Sequence, residues 1–187
     1  PSYERARSFS DTKIEELRKG LKGVVPSDCI VATFGSYARR EASEESDLDY
    51  LVISGGIEVS PEKLKQVHQI IDSIVPIGPS AGGPFAKSVS YNEFLKNLGG
   101  DQESNHSLTR RLLLMLEGEF LTGAAQFNQL RHDLLTRYVD ATPKDHQLAL
   151  FLLNDIIRYW RTMTVDYMYK TTEDSKPWAI RNIKLIF

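Results

Sequence analysis

Residues 34–52, FGSYARREASEESDLDYLV, place two acidic residues inside an apolar run. Asp47 and Asp49 are separated only by Leu48, and an apolar stretch follows them. Side chains alternate between the two faces of a strand, so both carboxylates would point the same way, about 6 to 7 Å apart. Because buried charge is costly, such a pair needs a counterion, and Mg²⁺ accepts one or two carboxylates besides water and phosphate oxygens. The sequence therefore predicts a metal site at Asp47 and Asp49.

A Gly-Ser pair lies twelve positions before these acids. Gly35 and Ser36 follow the apolar segment CIVATF and open a short helical stretch. Backbone N–H groups and a hydroxyl at such a turn can hold a phosphate, and glycine lets the backbone approach closely. Arg39 follows, and its guanidinium is either a further phosphate contact or an exposed helix side chain. If the two strands are neighbours, a phosphate site and a metal site adjoin, as phosphoryl or nucleotidyl transfer requires.

A purely structural interpretation of the same residues is a polar turn without a functional site. Asp47 would then cap a helix or turn, and Asp49 would lie on a solvated edge. The Gly-Ser pair, its spacing and the Asp-Leu-Asp sequence together favour the functional interpretation.

The pattern of apolar and polar residues changes near residue 100. Residues 1–100 alternate between helix and strand patterns, whereas residues 101–187 read as helices throughout. The fold class expected is α/β (α+β), with a small domain over 1–100 and a helical domain over 101–187. The chain opens without Met and stops within an amphipathic pattern, so we expect a piece of a longer protein that is truncated at its C-terminus. The predicted elements of the first part are the helices SDTKIEELRKGL, PEKLKQVHQIIDSI and YNEFLKNL, and the strands CIVATF, LDYLVIS and PFAKSVS.

Composition and charge narrow the possible partners. The net charge is −2 and the pI is about 6.1, which gives no bulk electrostatic attraction to duplex nucleic acid or to an anionic membrane. The single Cys29 makes no internal disulfide, and no apolar stretch reaches the roughly 20 residues that span a bilayer. We therefore expect a cytoplasmic protein that does not bind membranes.

The motif residues resemble a known family. The pattern of a Gly-Ser turn followed by Asp-x-Asp on the next strand is similar to that of the DNA-polymerase-β-like nucleotidyltransferase superfamily. The spacing also resembles that of the minimal nucleotidyltransferases, including antitoxins that modify a helical RNase toxin, although Arg40 stands where that subgroup usually carries Gly. The positions that carry this resemblance are Gly35, Ser36, Ala38, Arg39, Ser46, Asp47 and Asp49.

The helical part resembles a different region. Residues 107–123 and 154–187 are similar to the segment that follows the transferase domain in proteins related to the uridylyltransferase of bacterial nitrogen signalling. Together the resemblances imply a small mixed, partly antiparallel sheet flanked by helices, with a helical bundle closing one side of a nucleotide cleft.

The resemblance implies a reaction as well. An acceptor hydroxyl on a protein or small molecule would attack the α-phosphate of a nucleoside triphosphate, with Mg²⁺ or Mn²⁺ as cofactor, and pyrophosphate would leave. Asp47 and Asp49 would hold the metal, and Gly35 and Ser36 the β- and γ-phosphates. Active members add a third acid on a later strand, but FAKSVS contains none. The nearest downstream acids are Asp101 and Glu103.

Two alternatives to an active enzyme stay open. One is a nucleotide-sensing module that has kept the acid pair and lost turnover. The other is an antitoxin-like protein that acts on a partner protein. In the long apolar helix, Asn154, Arg158 and Arg161 share one face, and for Arg158 we favour a structural ion pair with Asp155 over a contact with nucleotide.

Overall fold

The fold has seven helices and four strands in the part of the chain that the structure describes. This computed structural model describes residues 2–56, 58–78, 88–96, 98, 102–139 and 150–173. The helices are α1 Ser2–Leu21, α2 Gly35–Ala38, α3 Pro61–Ile74, α4 Tyr91–Leu95, α5 Asn105–Leu116, α6 Ala124–Tyr138 and α7 Leu150–Glu173. The strands are β1 Ile30–Thr33, β2 Tyr50–Ser54, β3 Ser88–Ser90 and β4 Glu119–Thr122.

The four strands form one mixed sheet in the order β3-β2-β1-β4. β1 pairs antiparallel with β2, and Thr33 lies opposite Tyr50. β3 runs parallel to β2, while β4 pairs antiparallel with the other side of β1. The predicted α+β class and the mixed, partly antiparallel sheet are confirmed.

The core packs helices α1 and α3 against one face of the sheet. Three apolar side chains of α1 recur at helical spacing and are fully buried, as are two of α3. Each such side chain contributes about 1.5 to 3 kcal/mol through burial. This cluster includes Ile14, Leu17, Leu21, Val31, Tyr37, Leu48, Tyr50, Val52, Val67 and Ile71.

Local signals fix the starts of several helices. Ser60 caps α3, its hydroxyl accepting a hydrogen bond from the N–H of Lys63 at 3.3 Å, and Pro61 occupies the first position as predicted. Ser104 caps α5 in the same way, accepting from the N–H of Ser107 at 3.1 Å. These caps satisfy N–H groups that have no partner inside the helix.

Strand β4 corrects the expectation that residues 101–187 are entirely helical. The helix α5 ends at Leu116, and the residues after it form β4, which pairs with β1. A β-carbon at Gly118 would lie 2.8 Å from the Leu114 carbonyl oxygen, so the chain folds back tightly there. Pairing with the open edge of β1 then outweighs the helical pattern of the segment.

The chain separates into two compact units, residues 1–137 and residues 138–187. The division into a domain over 1–100 and a helical domain over 101–187 stays a prediction. In the second unit the Asp155 carboxylate accepts a hydrogen bond from the Tyr138 hydroxyl at 2.7 Å. Arg158 pairs with the same carboxylate at 2.8 Å, which confirms the structural ion pair. The helical pattern predicted for residues 174–187 lies outside the described residues. No helix in the described residues is long and apolar enough to cross a membrane.

Candidate functional site

The end of β1 meets the start of β2 at the Gly-Ser turn. The Phe34 N–H and the Thr33 hydroxyl both donate to the Asp49 carbonyl oxygen, at 3.0 and 2.9 Å. Gly35 has φ +65°, and a β-carbon there would lie 3.5 Å from Asp49 Oδ2. Because β1 and β2 are antiparallel, the Gly-Ser turn that follows β1 and the acids that precede β2 lie at the same end of the two strands.

The two acids precede β2 instead of lying within it. The strand begins at Tyr50, while Asp47 forms an isolated bridge with Ile77, whose carbonyl oxygen accepts from the Leu48 N–H at 3.1 Å. Leu48 and Tyr50 are fully buried, Asp47 is exposed and Asp49 is half-buried. This alternation turns both carboxylates away from the core, as the sequence predicted for a strand.

Ser36 is half-buried in the one-turn helix α2. Its carbonyl oxygen accepts a hydrogen bond from the Glu41 N–H at 2.7 Å, and its hydroxyl has no hydrogen-bond partner among the described residues. A serine hydroxyl in this state is available to a ligand.

Arg39 is held by carboxylates. Its guanidinium pairs with Glu41 at 2.9 Å and also with Glu117. The side chain remains 45% exposed, and these two bonds engage only Nε and Nη1 of the guanidinium, so further N–H donors are available to a phosphate. The structure thus places the predicted phosphate contact next to the turn, within an ion-pair network.

Arg40 anchors the turn, a role that the sequence did not indicate. Its backbone φ is +64°, a conformation that glycine adopts without strain, which accounts for the glycine usual at this position in the resembling subgroup. The guanidinium pairs with Asp11 at 2.7 Å and with Glu119 at 3.1 Å. It also donates to the carbonyl oxygens of Tyr37 and Ala38. These bonds tie α2 to α1 and β4.

Tyr37, directly after Ser36, is a second residue whose environment the sequence did not indicate. Its side chain is fully buried, and its hydroxyl has no hydrogen bond among the described residues. Burial raises the pKa of this phenol, and the Asp47 carboxylate raises that pKa further, so the phenol stays protonated. Nothing in the sequence distinguishes this tyrosine from an ordinary core aromatic.

A third acid is not brought to the pair by the residues that the structure describes. No residue between 79 and 90 is acidic. Glu103 is buried and pairs with the fully buried Arg111, and Asp101 lies outside the described residues. No group of three His, Cys, Asp or Glu side chains suited to a metal occurs in the described ranges. Two carboxylates beside a phosphate turn nevertheless suit Mg²⁺, which completes its shell with waters and phosphate oxygens.

Two clefts of the first unit lie away from the Gly-Ser turn and the acid pair. One, of about 370 Å³, is lined by residues including Arg18, Cys29 and Thr122. The other, of about 330 Å³, lies beside Phe94 and Arg110. Neither contains the Gly-Ser turn or the acid pair, so the chemistry of the motif, and not the size of a cleft, marks the candidate site.

Comparison with known families decides the nature of this part of the chain. Residues 14–80 match the family model described as a nucleotidyltransferase domain. Residues 14–80 are a nucleotidyltransferase domain. The match includes the turn and both acids, so the resemblance seen in the sequence is confirmed for the nucleotidyltransferase domain. The resemblance of the helical part stays a prediction.

Other comparisons add little. A search of curated proteins finds no match. One solved structure, described as the crystal structure of a toxin-antitoxin with AMP-PNP, is 15% identical and aligns over 67% of this chain and 86% of that chain, with a TM-score of 0.42. A likeness of this size supports no conclusion about fold or partners.

Proposed function

We propose that the nucleotidyltransferase domain transfers a nucleoside monophosphate from a nucleoside triphosphate to a hydroxyl group of a protein or small molecule. The proximity of Gly35 to the Asp49 carboxylate, whose Oδ2 lies 3.5 Å from the place of a β-carbon at position 35, carries this proposal. It joins a backbone suited to phosphate with an acid suited to a cation, and a triphosphate bound with its cation needs both at once.

Asp47 and Asp49 would hold Mg²⁺ or Mn²⁺, which neutralises the charge that develops on the transferred phosphoryl group when it is bound. Gly35 and Ser36 would hold the β- and γ-phosphates. The unpaired Ser36 hydroxyl supports this role, because it can donate to a phosphate oxygen without breaking a bond among the described residues. Arg39 would add a guanidinium contact through the N–H donors that its pairs with Glu41 and Glu117 leave available.

A second candidate function is nucleotide binding without turnover. Residues 79–90 lack an acid, and Glu103 is engaged with Arg111. An acceptor hydroxyl would then have no third carboxylate among the described residues to take its proton. The antitoxin-like alternative stays a prediction from the sequence.

Thermal unfolding with each of ATP, UTP, CTP and GTP, with and without Mg²⁺, tests the nucleotide site. A ligand that binds only the folded state raises stability by RT ln(1 + [L]/Kd), about 2.7 kcal/mol at one hundred times Kd. We expect one triphosphate to stabilise the native chain only with Mg²⁺, and the variant Asp47→Asn with Asp49→Asn to show no shift. The matched control is Glu44→Gln with Glu45→Gln, which removes two exposed charges nearby and should keep the shift.

No shift with any triphosphate would contradict the proposal. Pyrophosphate release separates the two candidates. A protein that binds Mg²⁺ and nucleotide but releases no pyrophosphate in the presence of hydroxyl acceptors fits the second candidate, and Asp47-dependent release fits the first.

A further inference from the structure

Glu117 bonds a guanidinium at the Gly-Ser turn from a distant part of the chain. Its carboxylate accepts a hydrogen bond from Arg39 Nη1, although the two residues are 78 positions apart in the sequence. Arg39 has a second partner, Glu41, whose carboxylate accepts from Nε at 2.9 Å. The guanidinium is planar, so bonds to two of its nitrogens fix the direction of the third. Nη2 has no hydrogen bond among the described residues, and its N–H groups remain as donors.

The backbone around Glu117 is held by the fold. Its N–H donates to the Leu113 carbonyl oxygen at 3.0 Å, at the end of α5. Two residues later, Glu119 lies opposite Thr33 in the antiparallel pairing of β4 with β1. Thr33 is itself two residues before Gly35, so the antiparallel pairing brings Glu117 toward the Gly-Ser turn. The position of this acid is therefore set by the sheet and α5, and not by the turn itself.

The two partners of Arg39 differ in exposure and in position. The side chain of Glu117 is 18% exposed, whereas that of Glu41 is 53% exposed. Glu41 follows Arg39 by two residues, so its bond orients the guanidinium only relative to the same turn. A partly exposed ion pair adds little to stability, because solvent screens it and two long side chains must be ordered. The pair with Glu117, which joins the turn to the sheet, therefore matters more for orientation than for stability.

We propose that Glu117 is a positioning residue that holds the Arg39 guanidinium so that its Nη2 donates to the phosphates of a bound nucleoside triphosphate. The inference rests on the proposed function, which gives Arg39 a phosphate contact. An arginine side chain loses much rotamer freedom when it is ordered, and the bond to Glu117 removes part of that freedom before the nucleotide arrives. Nucleotide binding then no longer has to offset the whole of that loss.

Titration calorimetry of the full chain with ATP, UTP, CTP and GTP in the presence of Mg²⁺ tests this role. For the triphosphate that the native chain binds, Glu117→Ala should raise Kd about three- to tenfold, the cost of ordering one long side chain on binding. Without nucleotide, the thermal midpoint of this variant should stay close to that of the native chain. Glu117→Gln keeps the size of the side chain and a neutral acceptor oxygen, so it should show the same weakening to a smaller extent.

Glu41→Ala is the matched control. It also removes one carboxylate from Arg39, and with it one negative charge near the turn. Because the bond to Glu117 remains, this variant should bind the triphosphate no more weakly than the native chain does.

A double-mutant cycle separates orientation from packing. Arg39→Ala should itself weaken triphosphate binding. In that background Glu117→Ala should cause no further loss of affinity, since no guanidinium remains to be held. A loss of the same size in both backgrounds would show that Glu117 acts through the packing of α5 and β4, and the positioning role would be wrong.

Other results would also contradict the inference. Unchanged triphosphate affinity in Glu117→Ala, beside weaker binding in Arg39→Ala, would remove the positioning role and leave the proposed function standing. Tighter binding in Glu117→Ala would show that Glu117 competes with phosphate for the guanidinium. If the native chain binds none of the four triphosphates, the proposed function fails together with the inference. If Arg39→Ala binds as tightly as the native chain, only the Arg39 contact and the inference fail.

Discussion

The α-carbon of Gly35 faces the carboxylate of Asp49, and a β-carbon at position 35 would lie 3.5 Å from Oδ2. Gly35 also has φ +65°, so its backbone conformation is one that other residues adopt with strain. The residue thus meets two separate requirements, a left-handed turn and open space beside the acid. A side chain at position 35 would strain the turn and reduce the space beside the Asp49 carboxylate.

Gly35→Ala should lower stability modestly and weaken nucleotide binding. A left-handed conformation costs a non-glycine residue about 1 to 2 kcal/mol, or a fall of a few degrees in Tm for a chain of this size. The added methyl group also occupies the space where a phosphate would approach the acid. We expect the Mg²⁺-dependent thermal shift with nucleotide to be lost while the protein stays folded.

Gly23→Ala separates strain from site chemistry. Gly23 has φ +75°, and nothing lies within 4 Å of a β-carbon built there. It should show a similar fall in Tm and keep the full nucleotide shift. Equal nucleotide shifts in the two variants would mean that the space beside Asp49 is not used by the ligand.

Replacement of Arg40 should depend strongly on whether the new residue is Gly or Ala. Both replacements remove the ion pairs with Asp11 and Glu119, which are partly exposed and worth about 0 to 1 kcal/mol each. Only Ala retains the strain of φ +64°. Arg40→Gly should therefore be more stable than Arg40→Ala by about 1 kcal/mol, measured by urea unfolding. Equal stability would show that the turn relaxes when the guanidinium is gone.

The sequence predicted the turn and the acid pair because their chemistry is local. The geometry of each motif is determined within a few positions. This holds both for a Gly-Ser pair after an apolar strand and for two acids separated by one residue. Antiparallel pairing of β1 with β2 then brings them together.

Features that depend on distant partners were not visible. Strand β4 forms because β1 has an open edge, and the local pattern there favours a helix. Arg40 pairs with Glu119, which lies 79 positions away in the sequence. Arg111 forms a buried ion pair with Glu103, and the geometry of that pair depends on the packing of α5. Likewise, only the three-dimensional arrangement of its neighbours shows that the Tyr37 hydroxyl has no hydrogen bond among the described residues.

Tyr91 and Asp133 predict a pH-dependent contribution to stability. The Tyr91 hydroxyl donates to Asp133 Oδ2 at 2.7 Å and, with a second bond from Gln129, lowers the pKa of that carboxyl below its ordinary value. A lowered folded-state pKa gives stability that is present above the unfolded pKa and is lost as the pH falls through the folded value.

Tyr91→Phe should therefore destabilise the protein by about 1 kcal/mol at pH 7 and by progressively less as the pH falls through the lowered folded-state pKa of Asp133, since the protonated carboxyl accepts a weaker bond. Urea unfolding at several pH values measures the difference. In an Asp133→Asn background the effect of Tyr91→Phe should no longer vary with pH over this range. A constant difference in the native background would show that Tyr91 does not stabilise the charged form.

Glu103→Gln distinguishes a structural acid from a metal ligand. Glu103 pairs with Arg111, whose side chain is fully buried, and removal of one partner of such a pair costs about 3 to 5 kcal/mol. We expect a large loss in the free energy of unfolding by urea. At a temperature where the variant remains folded, its Mg²⁺-dependent nucleotide shift should persist.

The double replacement Glu103→Leu with Arg111→Met is the control for this loss. Replacing both charges by apolar groups of similar size removes the unpaired charge, so stability should recover most of the way to that of the native chain. If Glu103→Gln instead keeps full stability and abolishes the nucleotide shift, Glu103 leaves its ion pair to act at the acid pair. That result would supply the third carboxylate that residues 79–90 lack and would favour the active enzyme over the binding module.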